Sequence, residues 1–132
     1  MIGWILLLLV IGLLVYVRIA PSDAKRWNAE IDATQDSTTA GSATRVIVGD
    51  AATFARIHRA ALALPRTEIL SGSVEDGKVT YITRSNAIGF PDYTTVQLIG
   101  DQIRMFARLR FGTSDLGVNR GRLEHLVRAA QP

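Results

Sequence analysis

Hydrophobic positions follow three successive patterns along the chain. Residues 2–17 read IGWILLLLVIGLLVYV and contain no charge. With Arg18-Ile19-Ala20 the run reaches about 19 residues, roughly 28 Å of helix, if the Arg18 guanidinium snorkels toward the headgroups. Trp4 and Tyr16 stand near its two ends, where amphipathic rings prefer a membrane interface. The pattern predicts a membrane anchor over residues 1–20. A cleaved signal peptide would need a basic amino-terminal region and a shorter apolar stretch. Neither is present, and only Ser22-Asp23-Ala24 resembles a cleavage site, so the helix is expected to stay on the mature protein.

The second regime is polar. From Trp27 to Thr44 the chain is dominated by Thr, Ser, Ala, Asp and Gly, and Ile31 is the only aliphatic side chain larger than Ala. Such a stretch buries too little apolar area to order itself, so residues 21–44 are expected to be a flexible linker.

From Arg45 the spacing alternates between helical and extended. Arg45 to Val48 is a short candidate strand. Asp50 is a good N-cap for a helix to about Leu64, with Phe54, Ile57, Ala61 and Leu64 on one face and Pro65 as its stop. Four strands are predicted next: Thr67 to Ser71, Lys78 to Arg84, Tyr93 to Ile99 and Gln102 to Arg110. Their connections, Glu75-Asp76-Gly77, Gly89-Phe90-Pro91-Asp92 and Gly100-Asp101, suit an antiparallel meander. In the last strand Ile103, Met105, Ala107 and Leu109 alternate with Arg104, Phe106, Arg108 and Arg110, so three arginines and an aromatic share one face. A closing helix from Asp115 to Ala130 places Leu116, Leu123, Leu126, Val127 and Ala130 at helical spacing. The expected fold is an α+β domain over residues 45–132, with an antiparallel sheet of four to five strands covered by two helices.

Composition removes several chemistries. With no cysteine, disulfides, zinc ribbons, iron-sulfur clusters, thiol nucleophiles and cysteine lipidation are excluded. The formal charge is only +3, and 13 of the 15 basic residues are Arg, which favours fixed hydrogen-bonded pairs over a diffuse phosphate-binding field. Nucleic acid is therefore a disfavoured partner. His58 and His125 have no carboxylate at a metal-ligand spacing, and no glycine-rich phosphate loop or nucleophile elbow is present. The reading assigns no metal, no cofactor and no catalytic residue.

Three polar clusters remain as candidate binding residues. Asp115, Asn119 and Arg120, with Gly117 and nearby Arg110, could hold a carboxylate or phosphate at a helix start. As structure alone, Asp115 would cap the helix while Arg120 pairs with Asp92 or Asp115. Arg84, Ser85, Phe90 and Asp92 could form a polar pair beside an aromatic platform, or a turn with Phe90 in the core. Arg104, Phe106, Arg108 and Arg110 could line a groove for an anion, or form the solvated side of a half-covered sheet.

The segments TRSNAIGFPDYTTVQL and RFGTSDLGVNRGRLEHL, the latter carrying the run Ser114 to Arg120, resemble the bacterial and plastid family called domain of unknown function 1499. RIAPSDAKRW after the apolar run also resembles its membrane-tethered members. The resemblance implies no activity and no catalytic residue. It does bear on orientation. Arg18, Lys25 and Arg26 flank the helix and favour a cytoplasmic domain, whereas the family's habit of export signals and anchors implies an extracytoplasmic one. The expectation is a single-pass membrane protein with a periplasmic domain, the cytoplasmic side being the alternative.

The function expected is a membrane-anchored, non-catalytic binding or envelope-associated module with an Arg/Asp surface. Its partners would be the lipid bilayer through residues 1–20 and an anionic ligand or another membrane protein. The rival is a small enzyme acting on an anionic or membrane-associated substrate, using Asp92 and Asp115 with Arg84 and Arg120. That rival requires one concave pocket holding both carboxylates.

Overall fold

The computed structural model describes residues 1–132. A helix α1 (Ile2–Ile19) and one helical turn α2 (Ala24–Trp27) precede the short strand β1 (Ser37–Thr38). Then follow β2 (Ser42–Val48), α3 (Ala51–Ala63), β3 (Thr67–Ser73), β4 (Lys78–Arg84), β5 (Pro91–Ile99), β6 (Gln102–Leu109) and α4 (Val118–Ala129). Helix α1 has a mean hydropathy of 2.5 and is long and apolar enough to cross a membrane. In α3 the Asp50 carboxylate accepts from the Thr53 backbone N–H at 3.0 Å, the capping predicted from sequence.

The strands form one antiparallel sheet of six, in the order β1-β2-β6-β5-β4-β3. Strands β3 to β6 are the expected meander, and β2 adds to its β6 edge because α3 carries the chain across the sheet to β3. The sheet thus exceeds the four to five strands expected, by the two-residue β1 that pairs with β2. Helices α3 and α4 cover one face. Its core contains Phe54, Ile57 and Ala61 from α3, Leu123 and Leu126 from α4, and Val79, Tyr81, Val96, Ile103 and Met105 from the strands. Gly72 lies in β3 beside a bulge, with φ 87°, where a Cβ would come within 2.1 Å of the Lys78 carbonyl oxygen, so only glycine fits this close pairing.

The opposite face departs from the sequence reading. Residues 21–44, expected to be a flexible linker, are ordered: 21–36 run as a strap across the sheet, and the rest carry β1 and the start of β2. Trp27 stacks on Tyr93 with ring centroids 3.9 Å apart, and both are buried with Ile82. Ile31 is buried as well, its N–H donating to Gln97 Oε1 at 3.0 Å. The arginines of β6 hold the strap by its backbone. Arg104 donates to the Ile31 carbonyl at 2.8 Å, Arg108 to the Trp27 carbonyl, and Arg110 to the Pro21 carbonyl at 2.9 Å. Because alternate residues of a strand share a face, Arg104, Arg108 and Arg110 make a ladder of donors antiparallel to the strap, interrupted only by Phe106. Composition misses this packing: one Trp, one Ile and backbone carbonyls suffice when the sheet offers partners for them. The arginine face is therefore neither an open anion groove nor a solvated surface. Burial pushes the Arg108 guanidinium down to about 10, so it still carries its charge at neutral pH.

Candidate functional site

The sheet ends at one side in a cleft of 520 Å³. One wall is the connection from β4 to β5, with Arg84, Ser85 and Phe90, and the other is the loop from β6 to α4, with Phe111, Ser114 and Asp115. Arg66, Asp92, Val118 and Arg122 also line it. The register sets this convergence: Thr83 pairs with Asp92 and Asp92 with Leu109, so the ends of three adjacent strands release their loops side by side. Ser85 Oγ accepts from the Phe90 N–H at 2.9 Å and closes the β4–β5 loop. Phe90 stays partly exposed at the cleft instead of entering the core.

Beneath the cleft lies a polar network centred on Asn119, which is fully buried. The Asp115 carboxylate accepts from the Gly117 N–H at 2.8 Å, the Asn119 N–H at 3.2 Å and the Asn119 side-chain amide at 2.7 Å. Arg122 donates to the Asn119 side-chain oxygen and pairs with Asp92 at 3.4 Å. Burial raises the Asp92 carboxyl above the ordinary aspartate range; the Arg122 charge and hydrogen bond and Asn119 oppose the rise, and nearby Asp115 adds to it. Asp115 thus caps the start of α4 from outside the helix. Asp115→Ala is expected to cost about 1–2 kcal/mol, and Asp115→Asn less, in urea denaturation of the full chain in micelles. A loss near zero for Asp115→Ala would contradict this capping role.

Of the residues singled out from sequence, the fold brings Arg84, Asp92 and Asp115 to the cleft, with Asn119 beneath them. Arg108 and Arg110 belong to the strap instead. Arg120 pairs with neither Asp92 nor Asp115; it is exposed, with Glu124 3.9 Å away on the same helix. The partner of Asp92 is Arg122, which the sequence reading overlooked. Helical phase was the available signal, since Arg122 stands three residues after Asn119 and next to Leu123, on the inward side of α4. Leu116, expected on that face, lies before the helix and points outward because α4 begins only at Val118. Arg66 was also missed: its φ of 54° turns the chain sharply into β3 and sets its side chain beside Arg84 at the cleft.

Two donors in the cleft have N–H groups to spare. Arg66 donates only through Nε, to the Arg84 carbonyl at 2.9 Å, and Arg84 only through one Nη, to the Gly89 carbonyl at 3.0 Å. Neither guanidinium has a carboxylate partner, whereas both cleft carboxylates are engaged by N–H groups. Helix α1 reaches the domain at this same end. Arg18 donates to the Ala87 carbonyl at 3.0 Å, and Tyr16 packs edge-on against Phe111 with centroids 6.2 Å apart.

Fold and site together define an α+β sheet domain with a mixed-charge cleft at the end that carries an apolar helix. Residues 19–129 match the family model described as Protein of unknown function (DUF1499), and the chain belongs to that family. No curated protein matches it.

Proposed function

We propose that the protein is a single-pass, membrane-anchored binding module, non-catalytic, whose site is the cleft between the β4–β5 and β6–α4 loops. The observation that carries this reading is the division of labour among the cleft's charges. Asp92 and Asp115 are occupied by N–H donors and hold the fold, while Arg66 and Arg84 keep unused guanidinium N–H groups facing the same space as Phe90 and Phe111. A guanidinium fork beside an aromatic wall suits a ligand with an anionic oxygen group and an apolar part. The domain is placed on the periplasmic side, following the export habit implied by the family resemblance; paired C-terminal reporters for the two compartments test it, and a cytoplasmic signal would reverse it.

The binding test uses n-butyl phosphate, titrated calorimetrically into the full chain in maltoside micelles. Saturable binding is expected, weakened about ten-fold or more by Arg84→Gln, since a charged hydrogen bond is worth about 1.5–3 kcal/mol. Absence of saturation, or identical binding by the variant, would overturn the reading. One observation favours a small enzyme as the second reading: Asp92 and Asp115 line a single cleft, and burial raises the Asp92 carboxyl. Consumption of the bound ester that disappears in Asp92→Asn would favour that reading.

A further inference from the structure

We infer that the two loops bordering the cleft dip into the bilayer that holds α1, and that the anion taken by Arg66 and Arg84 is the phosphate of a phospholipid headgroup in that leaflet. This rests on the readings of α1 as an anchor and of the cleft as an anion site. The first ground is the distribution of exposed apolar side chains. Of the eight large apolar side chains exposed after α1, four border the cleft: Ile88 and Phe90 on one loop, Leu116 on the other, and Val118 at the start of α4; Val48, Leu62, Ile69 and Ile99 lie elsewhere. Leu116 is 95% exposed and held at φ 56°, in the left-handed region that L side chains seldom adopt. No part of the domain covers it. A large aliphatic side chain presented this way gains free energy only if something apolar receives it.

The second ground is depth. Helix α1 spans 18 residues, about 27 Å, which is close to a bilayer's hydrocarbon thickness. Its last turn therefore lies at the interface, and Tyr16 and Arg18 in that turn are the residues that touch Phe111 and Ala87. Gly89 lies against the same turn, where an added Cβ would be 3.5 Å from the Arg18 side chain. The loops are thus fixed at the level where α1 leaves the membrane. The other end of the sheet, with Val48 and Ile99, lies a full strand length away, roughly 23–30 Å.

The third ground is charge. A second depression of 460 Å³ adjoins the cleft and shares Arg66, Arg84 and Ser85 with it. Arg18 joins its lining, and Glu68 is its one acidic residue. Three guanidinium groups at the end of a membrane helix, with apolar loop tips beside them, match the layering of phosphates above acyl chains.

The absence of cysteine makes the test direct. Ile88→Cys, Leu116→Cys and Val48→Cys, each carrying a polarity-sensitive fluorophore, are placed in the full chain and reconstituted into vesicles of phosphatidylcholine and phosphatidylglycerol containing doxyl-labelled lipid. Labels at 88 and 116 are expected to shift to the blue and be quenched, and the label at 48 to remain aqueous. The Arg66→Gln/Arg84→Gln double variant should raise the phosphatidylglycerol fraction needed for half-maximal quenching by at least about five-fold. An aqueous label at 88 or 116, self-quenching between labelled copies without quenching by lipid, or an unchanged phosphatidylglycerol dependence in the double variant each overturns the inference. If the chain floats with the vesicles and binds n-butyl phosphate in micelles while both labels stay aqueous, this inference alone fails. A chain that does not float removes the anchor reading as well.

Discussion

Trp27→Ala is expected to destabilise the domain by about 3–5 kcal/mol, the range for removing a large aromatic side chain from a packed site. The indole is buried against Tyr93, with the Arg26 and Arg108 guanidinium groups 4.7 Å and 5.4 Å from its centroid. Truncation removes the stack and exposes the Tyr93 ring. It also loosens the strap segment whose carbonyl satisfies Arg108, so a half-buried cation loses a fixed acceptor. Trp27→Phe keeps part of the stack and should recover roughly half of the loss. Urea denaturation of the full chain in micelles measures both, and hydrogen exchange at the Ile31 amide reports the strap directly, because that N–H is held by Gln97. Were residues 21–44 a free tether, Trp27→Ala would leave the midpoint unchanged; that result would refute the packed strap.

The second large effect concerns Arg122→Gln, expected to cost about 3 kcal/mol at neutral pH, toward the lower end of the range for breaking a buried pair. Arg122 is the only cation paired with Asp92, and both side chains are mostly shielded from water. Its charge is what restrains the upward shift that burial imposes on the Asp92 carboxyl, so removing it should raise that carboxyl further. The sign of the pH dependence follows. A carboxyl whose folded-state value exceeds its unfolded value binds more protons in the native state between the two values. Stability therefore falls as pH rises through that window, and the Asp92 contribution is fully present only on the acid side. In Arg122→Gln the window widens upward, so the deficit relative to wild type should shrink as pH is lowered from about 7 toward 4. A deficit independent of pH would show that Arg122 acts through packing and through Asn119 rather than through its charge on Asp92.

Elements governed by local periodicity were legible in the sequence. The apolar run, the Asp50 cap with the α3 face, the β4 limits and the alternation in β6 all appear as predicted, because each depends on residues a few positions apart. The motif that carries the family resemblance also lies where the family model matches. For the candidate site the record is divided. Arg84, Asp92 and Asp115 do share a cleft, whereas Arg120 points away and Arg122 takes the place expected for it. The difference lies in where α4 starts, at Val118 rather than Asp115. The Asp115 carboxylate reaches Gly117 and Asn119 across a loop, so the helix begins three residues later and its inward face falls on a different arginine.

By itself, then, the sequence determined the kinds and order of the elements from β2 to α4, the meander, the exclusion of cysteine chemistry and a strand face bearing three arginines. Only the tertiary structure decided what those arginines do. Their partners at Pro21, Trp27 and Ile31 are backbone carbonyls 73 to 89 residues away along the chain, and a carbonyl has no side-chain identity to read. The same holds for the cleft, whose walls are adjacent only because β4, β5 and β6 pair in one register, and for the strap, whose few apolar residues gain their burial against sheet residues distant in sequence.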